Sequence, residues 1–297
     1  MKKVSYVLAL AILFAICVRA NAQSRAVEVA PRRMTTHPWE YARDPFPITA
    51  NLYYVGNFNV SAHLIDTGSG LILIDTGFPQ TVYLLLESIR RLGFDPKNIV
   101  YILHTHGHYD HMGGTRALVE LTHAKTAMGK ADASMMRDRR ELTWAPEYGV
   151  KFYETFDVDL PLSDGDTISL GSTAIKSVHT PGHTAGCFSY FFNVSDKGQS
   201  YRVGIFGGPG LNSLTDEYLK QHGLPYGARE DYLKSVERLK KEPVDIFLGA
   251  HPGPGQSDHF RKKAAMTESK NPFIDKDAWL TFLTRLEAEA KGAFQSK

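Results

Sequence analysis

Ile99-Val100-Tyr101-Ile102-Leu103 runs straight into His104-Thr105-His106-Gly107-His108-Tyr109-Asp110-His111. An unbroken apolar run of this length reads as a buried strand, and the histidines begin where it ends. In an extended segment, side chains two residues apart point the same way, so His106 and His108 grip one ion together. Asp110 and His111 fall at the turn into a helix expected from Gly113 to Leu121 and face a second ion beside the first. A lone histidine is ordinarily solvated or hydrogen-bonded. Four metal-type ligands within six residues are different, because so much buried basicity needs a compensating partner.

Two other apolar strands end in the same way. Ala174–Val178 leads to His179-Thr180-Pro181-Gly182-His183, and Val244–Leu248 leads to Gly249-Ala250-His251-Pro252-Gly253. Proline and glycine cut each strand short and turn the side chains outward. Imidazole and carboxylate suit Zn²⁺, and three protein ligands leave a position open. Six ligands from three loops divide into His106, His108 and His183, then Asp110, His111 and His251, for two zinc ions per chain. His104 and His179 are assigned structural roles, and His63 and His259 the ordinary one of a solvated or hydrogen-bonded histidine.

Around these motifs the chain reads as one domain built from two similar halves, at about 50–160 and 161–297. Residues 23–50, rich in Pro, Arg and Thr, are expected as an extended arm with Trp39 and Phe46 as plugs. Strands are expected at Leu52–Val55, Val60–Ile65, Leu71–Ile74 and Ile99–Leu103, with a helix after Thr81 and another over 130–140. The second half repeats the grammar: strands at 167–170, 173–178, 187–193 and 201–206, a helix at 230–240, the strand Val244–Leu248, and a helix from about Asp275 to Lys291. Strands clustered in each half with helices between them imply two β-sheets packed face to face, helices outside.

The start of the chain is an export address. Lys2 and Lys3 precede the apolar stretch Val7–Val18, and Ala20-Asn21-Ala22 is a small-x-small cleavage site. The stretch is too short for a comfortable membrane span, and Ile16 before Cys17 argues against lipid attachment. Cleavage before Gln23 leaves 275 residues and removes three basic residues, so 31 Lys+Arg face 32 Asp+Glu, a net charge of −1. That balance gives no electrostatic reason for a nucleic-acid partner. The expected product is secreted to the periplasm, without stable membrane association. Only Cys187 remains, so no internal disulfide forms.

His-x-His-x-Asp-His after a strand, the earlier Leu73-Ile74-Asp75-Thr76-Gly77, and Thr180-Pro181-Gly182-His183-Thr184 together resemble the metallo-β-lactamase superfamily. The resemblance implies an αββα sandwich. It implies that Asp75 lies beneath the metals and orients ligating imidazoles; a polar turn residue closing a strand is the alternative. Within the superfamily, most members other than lactamases end a second-half strand in Gly-Asp, whose carboxylate bridges the metals. Here the matching strand reads Val203-Gly204-Ile205-Phe206-Gly207-Gly208-Pro209, without the acid. That pattern, His111 after the motif aspartate, and Asn271-Pro272-Phe273-Ile274-Asp275 resemble subclass B3 lactamases, many of which carry serine at position 208. Serine is expected to be tolerated or mildly helpful there, and aspartate to bring no improvement.

The activity so implied is opening of a β-lactam amide, a small-molecule substrate, by zinc-activated water oriented by Asp110, and hence antibiotic resistance. No Gly-x-Ser-x-Gly occurs to suggest a covalent nucleophile. Asn212 and Ser213 either hold a substrate carboxylate or serve ordinary turn chemistry. Trp144, Tyr148, Phe152, Tyr153 and Phe156 either wall the metals or pack the core. The rival readings are an exported zinc hydrolase of a lactone, thioester or other ester, and a non-catalytic metal carrier.

Overall fold

The computed structural model describes residues 30–295; the export segment and the first part of the arm lie outside them. Strand alternation builds the core. In β10 (Phe188–Asp196), Phe188, Tyr190, Phe192 and Val194 face one way into the largest apolar cluster, while Phe191 faces the other. The same period of two sends Ile72 and Ile74 of β4 (Leu71–Ile74) inward and Leu71 and Leu73 outward.

Seven strands form the first sheet in chain order: β1 (Phe46–Pro47), β2 (Leu52–Tyr54), β3 (His63–Asp66), β4, β5 (Ile99–Leu103), β6 (Lys125–Gly129) and β7 (Leu160–Leu162). The first four are antiparallel neighbours, and β4 to β7 run parallel. The second sheet is ordered β12-β11-β10-β9-β8, from β8 (Thr167–Leu170), β9 (Thr173–His179), β10, β11 (Gln199–Phe206) and β12 (Ile246–Gly249). The inner faces share one cluster that takes side chains from both sheets. The helices Val82–Arg91 and Thr115–Thr122 cover the outer face of the first sheet, and Gly227–Leu239 and Ala278–Gln295 that of the second. The expected αββα sandwich is the fold.

Three expectations need correction. The arm is not wholly extended: it holds a helical turn at Arg33–Thr36 and a 3-10 turn at Pro38–Tyr41. Phe46 is buried as a plug, but Trp39 is 58% exposed. The turn that starts at Pro38 leaves Trp39 on the surface, its ring 5.1 Å from His37. The helix expected from Gly113 starts instead at Thr115, and Asp110 and His111 belong to a separate turn, Tyr109–Met112. Gly113 packs against Tyr109 and Pro79 so closely that a side chain there would overlap both. Strands β6 and β7 were not expected at all.

Candidate metal centre

Parallel pairing puts the functional loops on one edge of the sandwich. β4 and β5 run together and so end together, as do β11 and β12, and β9 points the same way as β11 through β10. The loops after β4, β5, β9 and β12 carry Asp75, then His106 to His111, then His183, then His251.

The six proposed ligands meet as two groups. His106, His108 and His183 converge, and so do Asp110, His111 and His251, the donor atoms within each group lying within 4.8 Å of one another. Most of the imidazoles are held by their Nδ1 edge, which leaves Nε2 for the centre. His111 Nδ1 donates to Asp75 Oδ2 at 2.9 Å, His183 Nδ1 to the Gly210 carbonyl at 2.8 Å, and His251 Nδ1 to the Asn59 carbonyl at 2.6 Å. His106 Nδ1 lies 3.1 Å from Thr105 Oγ1. This is the orientation a ligating imidazole needs. His106 Nε2 is buried with no hydrogen-bond partner. A buried donor or acceptor left unpaired costs free energy, so this orphaned nitrogen is an atom that a cation would satisfy.

Electrostatics agree with the geometry. Burial, then the neighbouring imidazoles, push His106 and His108 well below the ordinary histidine range, and burial holds His183 at about 4. These rings are neutral, as ligands must be. His111 differs: burial opposes its charge, but Asp110 and Asp75 on either side hold it up at about 10. Asp110 is opposed by burial and held well below the carboxylate range by His111. Asp110 and Asp75 thus call for a positive charge beside them, which a bound cation would supply. The donor set fits a divalent metal that accepts nitrogen and oxygen ligands.

Asp75 lies at φ +60, in the left-handed region that aspartate tolerates better than most residues. There its Oδ1 accepts from Thr105 N at 2.8 Å and its Oδ2 from Thr105 Oγ1 at 2.7 Å, besides His111. A second carboxylate was missed by sequence reasoning. Asp132, fully buried, accepts from Gly107 N at 2.7 Å, Thr184 Oγ1 at 2.7 Å and Gly186 N at 2.8 Å. It joins the loop after β5 to the loop after β9. Nothing in a lone aspartate near a helix start signals that role.

The remaining residues separate. His104 pairs with the Ala127 carbonyl and Thr115 Oγ1, and His179 with the Ala185 carbonyl; neither faces the metal groups. His63 and His259 are buried and bonded to each other at 3.0 Å. Trp144 and Tyr148 line the metal cavity, Phe152 and Phe156 pack beneath it, and Tyr153 is exposed. Burial and the adjacent Asp110 push the Tyr148 phenol well up, so it stays protonated. Asn212 is exposed on the cavity rim, whereas Ser213 is buried and donates to the His183 carbonyl at 2.6 Å. Serine at 208, expected to be tolerated, would have to displace a neighbour. A Cβ there would fall 2.7 Å from His183 Cβ and inside contact distance of Cys187 Sγ.

Residues 55–197 match the model of the metallo-β-lactamase superfamily. Native FEZ-1 metallo-β-lactamase from Legionella gormanii is 30% identical with a TM-score of 0.78, over 86% of this chain and 97% of that one. BJP-1, a subclass B3 metallo-β-lactamase of Bradyrhizobium japonicum, is 29% identical with a TM-score of 0.76, over 88% and 100%. An N-acyl homoserine lactonase from a Bacillus species is 23% identical over 64% of this chain and 80% of its own length. The chain belongs to the metallo-β-lactamase superfamily. It is a hydrolase of that superfamily, and its structural neighbours are mostly subclass B3 enzymes.

Proposed function

We propose that this protein is a zinc-dependent β-lactam hydrolase that holds two zinc ions, is exported to the periplasm through residues 1–22, and confers resistance to β-lactam antibiotics. One observation carries the reading: the second ligand group is Asp110, His111 and His251, with Gly208 where a bridging acid would stand. The subclass B3 neighbours support the same substrate class.

Bound zinc would supply a water of pKa near ~7 and polarise the carbonyl under attack. The chain's own residues do the rest. His106, His108 and His183 would hold one ion; Asp110, His111 and His251 the other. Asp75 fixes the His111 ring through Nδ1, and the Gly210 and Asn59 carbonyls fix His183 and His251. Asp110, kept ionised, turns Oδ2 toward His111 Nε2 at 3.4 Å and orients the attacking water. Trp144 and Tyr148 shield that side from solvent. Asn212 offers a rim amide to a substrate carboxylate, while Ser213 acts through His183.

The Bacillus lactonase favours a second reading, an exported lactone hydrolase. Purified protein assayed on a chromogenic cephalosporin and on an N-acyl homoserine lactone separates the two. The expected result is β-lactam turnover that chelator abolishes and zinc restores. Lactone turnover without β-lactam turnover would overturn the proposal.

A further inference from the structure

One ligand is held differently from the rest. Four of the five ligand imidazoles rest Nδ1 on a protein oxygen: His106 on Thr105, His111 on Asp75, His183 on Gly210 and His251 on Asn59. Among the described residues neither ring nitrogen of His108 has a hydrogen-bond partner, although the side chain is buried. Its neighbours include three rings, with centroids at 4.5 Å for His183, 4.7 Å for His106 and 5.6 Å for Trp144. A ligating imidazole needs an outer partner to fix its rotation. Of these three rings, only Trp144 lies outside the ligand set.

Trp144 is itself braced. Its ring lies 4.8 Å from Tyr218, and Tyr218 lies 4.3 Å from His222, so four rings stand in series from His108 to the end of the helix Asp216–His222. The far end is tied back to the loop that carries Trp144. His222 Nε2 lies 3.8 Å from Glu147 Oε1, and Arg139 donates to the His222 carbonyl at 3.2 Å. At the near end Tyr109 N donates to the Thr143 carbonyl at 2.6 Å. That bond joins the residue after His108 to the residue before Trp144, and so sets indole beside imidazole.

The backbone shows that this placement is imposed. Trp144 sits at φ +67, a conformation bulky residues rarely adopt. Such strain persists only where surrounding contacts hold it, and here they are the Thr143 bond on one side and the Tyr218 ring on the other. The choice of indole has a chemical reason as well. A cation on His108 would draw electron density from the imidazole, and the electron-rich indole face is the aromatic surface that favours positive charge most.

We propose that Trp144 is the positioning residue for His108, doing by ring contact what a hydrogen bond does for the other four imidazoles, and that Tyr218 is its brace. The assignment rests on the metal-centre reading and on no particular substrate.

The test reads zinc affinity of the full chain by competition with a chromogenic chelator, with no substrate present. Trp144→Leu keeps apolar bulk without a ring face and should weaken one of the two zinc equivalents about tenfold. Trp144→Phe keeps a ring under the same backbone strain and should stay near the parent. Tyr218→Ala should weaken the same equivalent, whereas Tyr218→Phe should not. Because the contacts stand in series, adding Tyr218→Ala to Trp144→Leu should weaken it no further. Trp144→Gly guards against a folding defect, since glycine relieves the backbone at this φ. It should lose affinity as Trp144→Leu does, yet melt in urea as the zinc-free parent does. Equal affinities in the leucine and phenylalanine variants, additive losses from the two positions, or a Trp144→Gly protein that no longer melts like the parent would overturn the assignment. A parent that binds zinc but opens neither a lactam nor a lactone would fail the hydrolase reading alone, because these affinities do not depend on turnover.

Discussion

A side chain at position 208 has nowhere to go, because the Cys187 thiol and the His183 ring already fill the space. Cys187 is wholly buried and free, and burial pushes its thiol well up, so it acts as a small apolar filler and not as a ligand. Gly208→Ser and Gly208→Asp should therefore both displace His183. We expect the tighter-bound of two zinc equivalents to weaken by roughly tenfold or more, the cost of disturbing a ligand's seat, as measured by competition with a chromogenic chelator. Cys187→Ala combined with Gly208→Ser should recover part of the loss. A Gly208→Ser protein that holds both equivalents as tightly as the parent would show that the His183 loop yields freely. The ligands were legible because each is a histidine or aspartate at the end of an apolar run. The glycine's reason was not, since it depends on Cys187 from another strand. The contact of Ser213 was hidden in a similar way: its hydroxyl meets the carbonyl of a residue thirty positions away.

Between elements, the contact of β3 with the helix His259–Ala264 is a buried histidine pair, His63 Nε2 against His259 Nε2, with Ser257 on His259 Nδ1 at 2.7 Å. Burial holds His63 at about 4, and burial, His63 and Lys262 hold His259 lower than the ordinary range. Above the unfolded value near ~6.5 both states leave the pair neutral, and stability does not depend on it. As pH falls below that value the unfolded chain takes up protons that the native pair refuses. Stability should then decline by up to about 1.4 kcal/mol per pH unit for each histidine, until pH approaches the folded value near 4 for His63. Urea melts from pH 7 to 4.5, with zinc present throughout, should show a shallower decline for His63→Phe than for the parent. Equal slopes would place the acid sensitivity elsewhere. At this scale the sequence was readable where an unbroken apolar run, alternation or helical period was strong, as in β4, β5, β9 and the helix Val82–Arg91. It failed at Lys125–Gly129 and Leu160–Leu162, which are strands because β5 and then β6 offer a parallel edge to extend and not because of their own composition.

Across the whole molecule, the six ligands bring together loops from both sheets, from His106 to His251. Metal that binds the native state alone stabilises it by mass action, about 4 kcal/mol at a thousandfold excess over Kd, which in a chain of this size corresponds to a melting shift on the order of 10 °C. Chelator treatment should lower the melt by that order, and added zinc should restore it; an unchanged melt with metal loss verified would count against this coupling. The sandwich was legible from strands grouped in each half, and the two converging groups of metal-type side chains from their spacing. The cavity of about 560 Å³ beside the metal groups was not, because its wall is drawn from four separated segments. Among the described residues no helix is long and apolar enough to cross a membrane. One feature of the assembled molecule bears on how fast it loads. Asp132 clasps Gly107, Thr184 and Gly186 through protein atoms alone, so the loops of His106, His108 and His183 are tied to one another by the fold itself. Most of their ordering entropy would then be lost when the chain folds, so metal uptake followed by stopped flow should be limited by diffusion and ligand exchange more than by rearrangement.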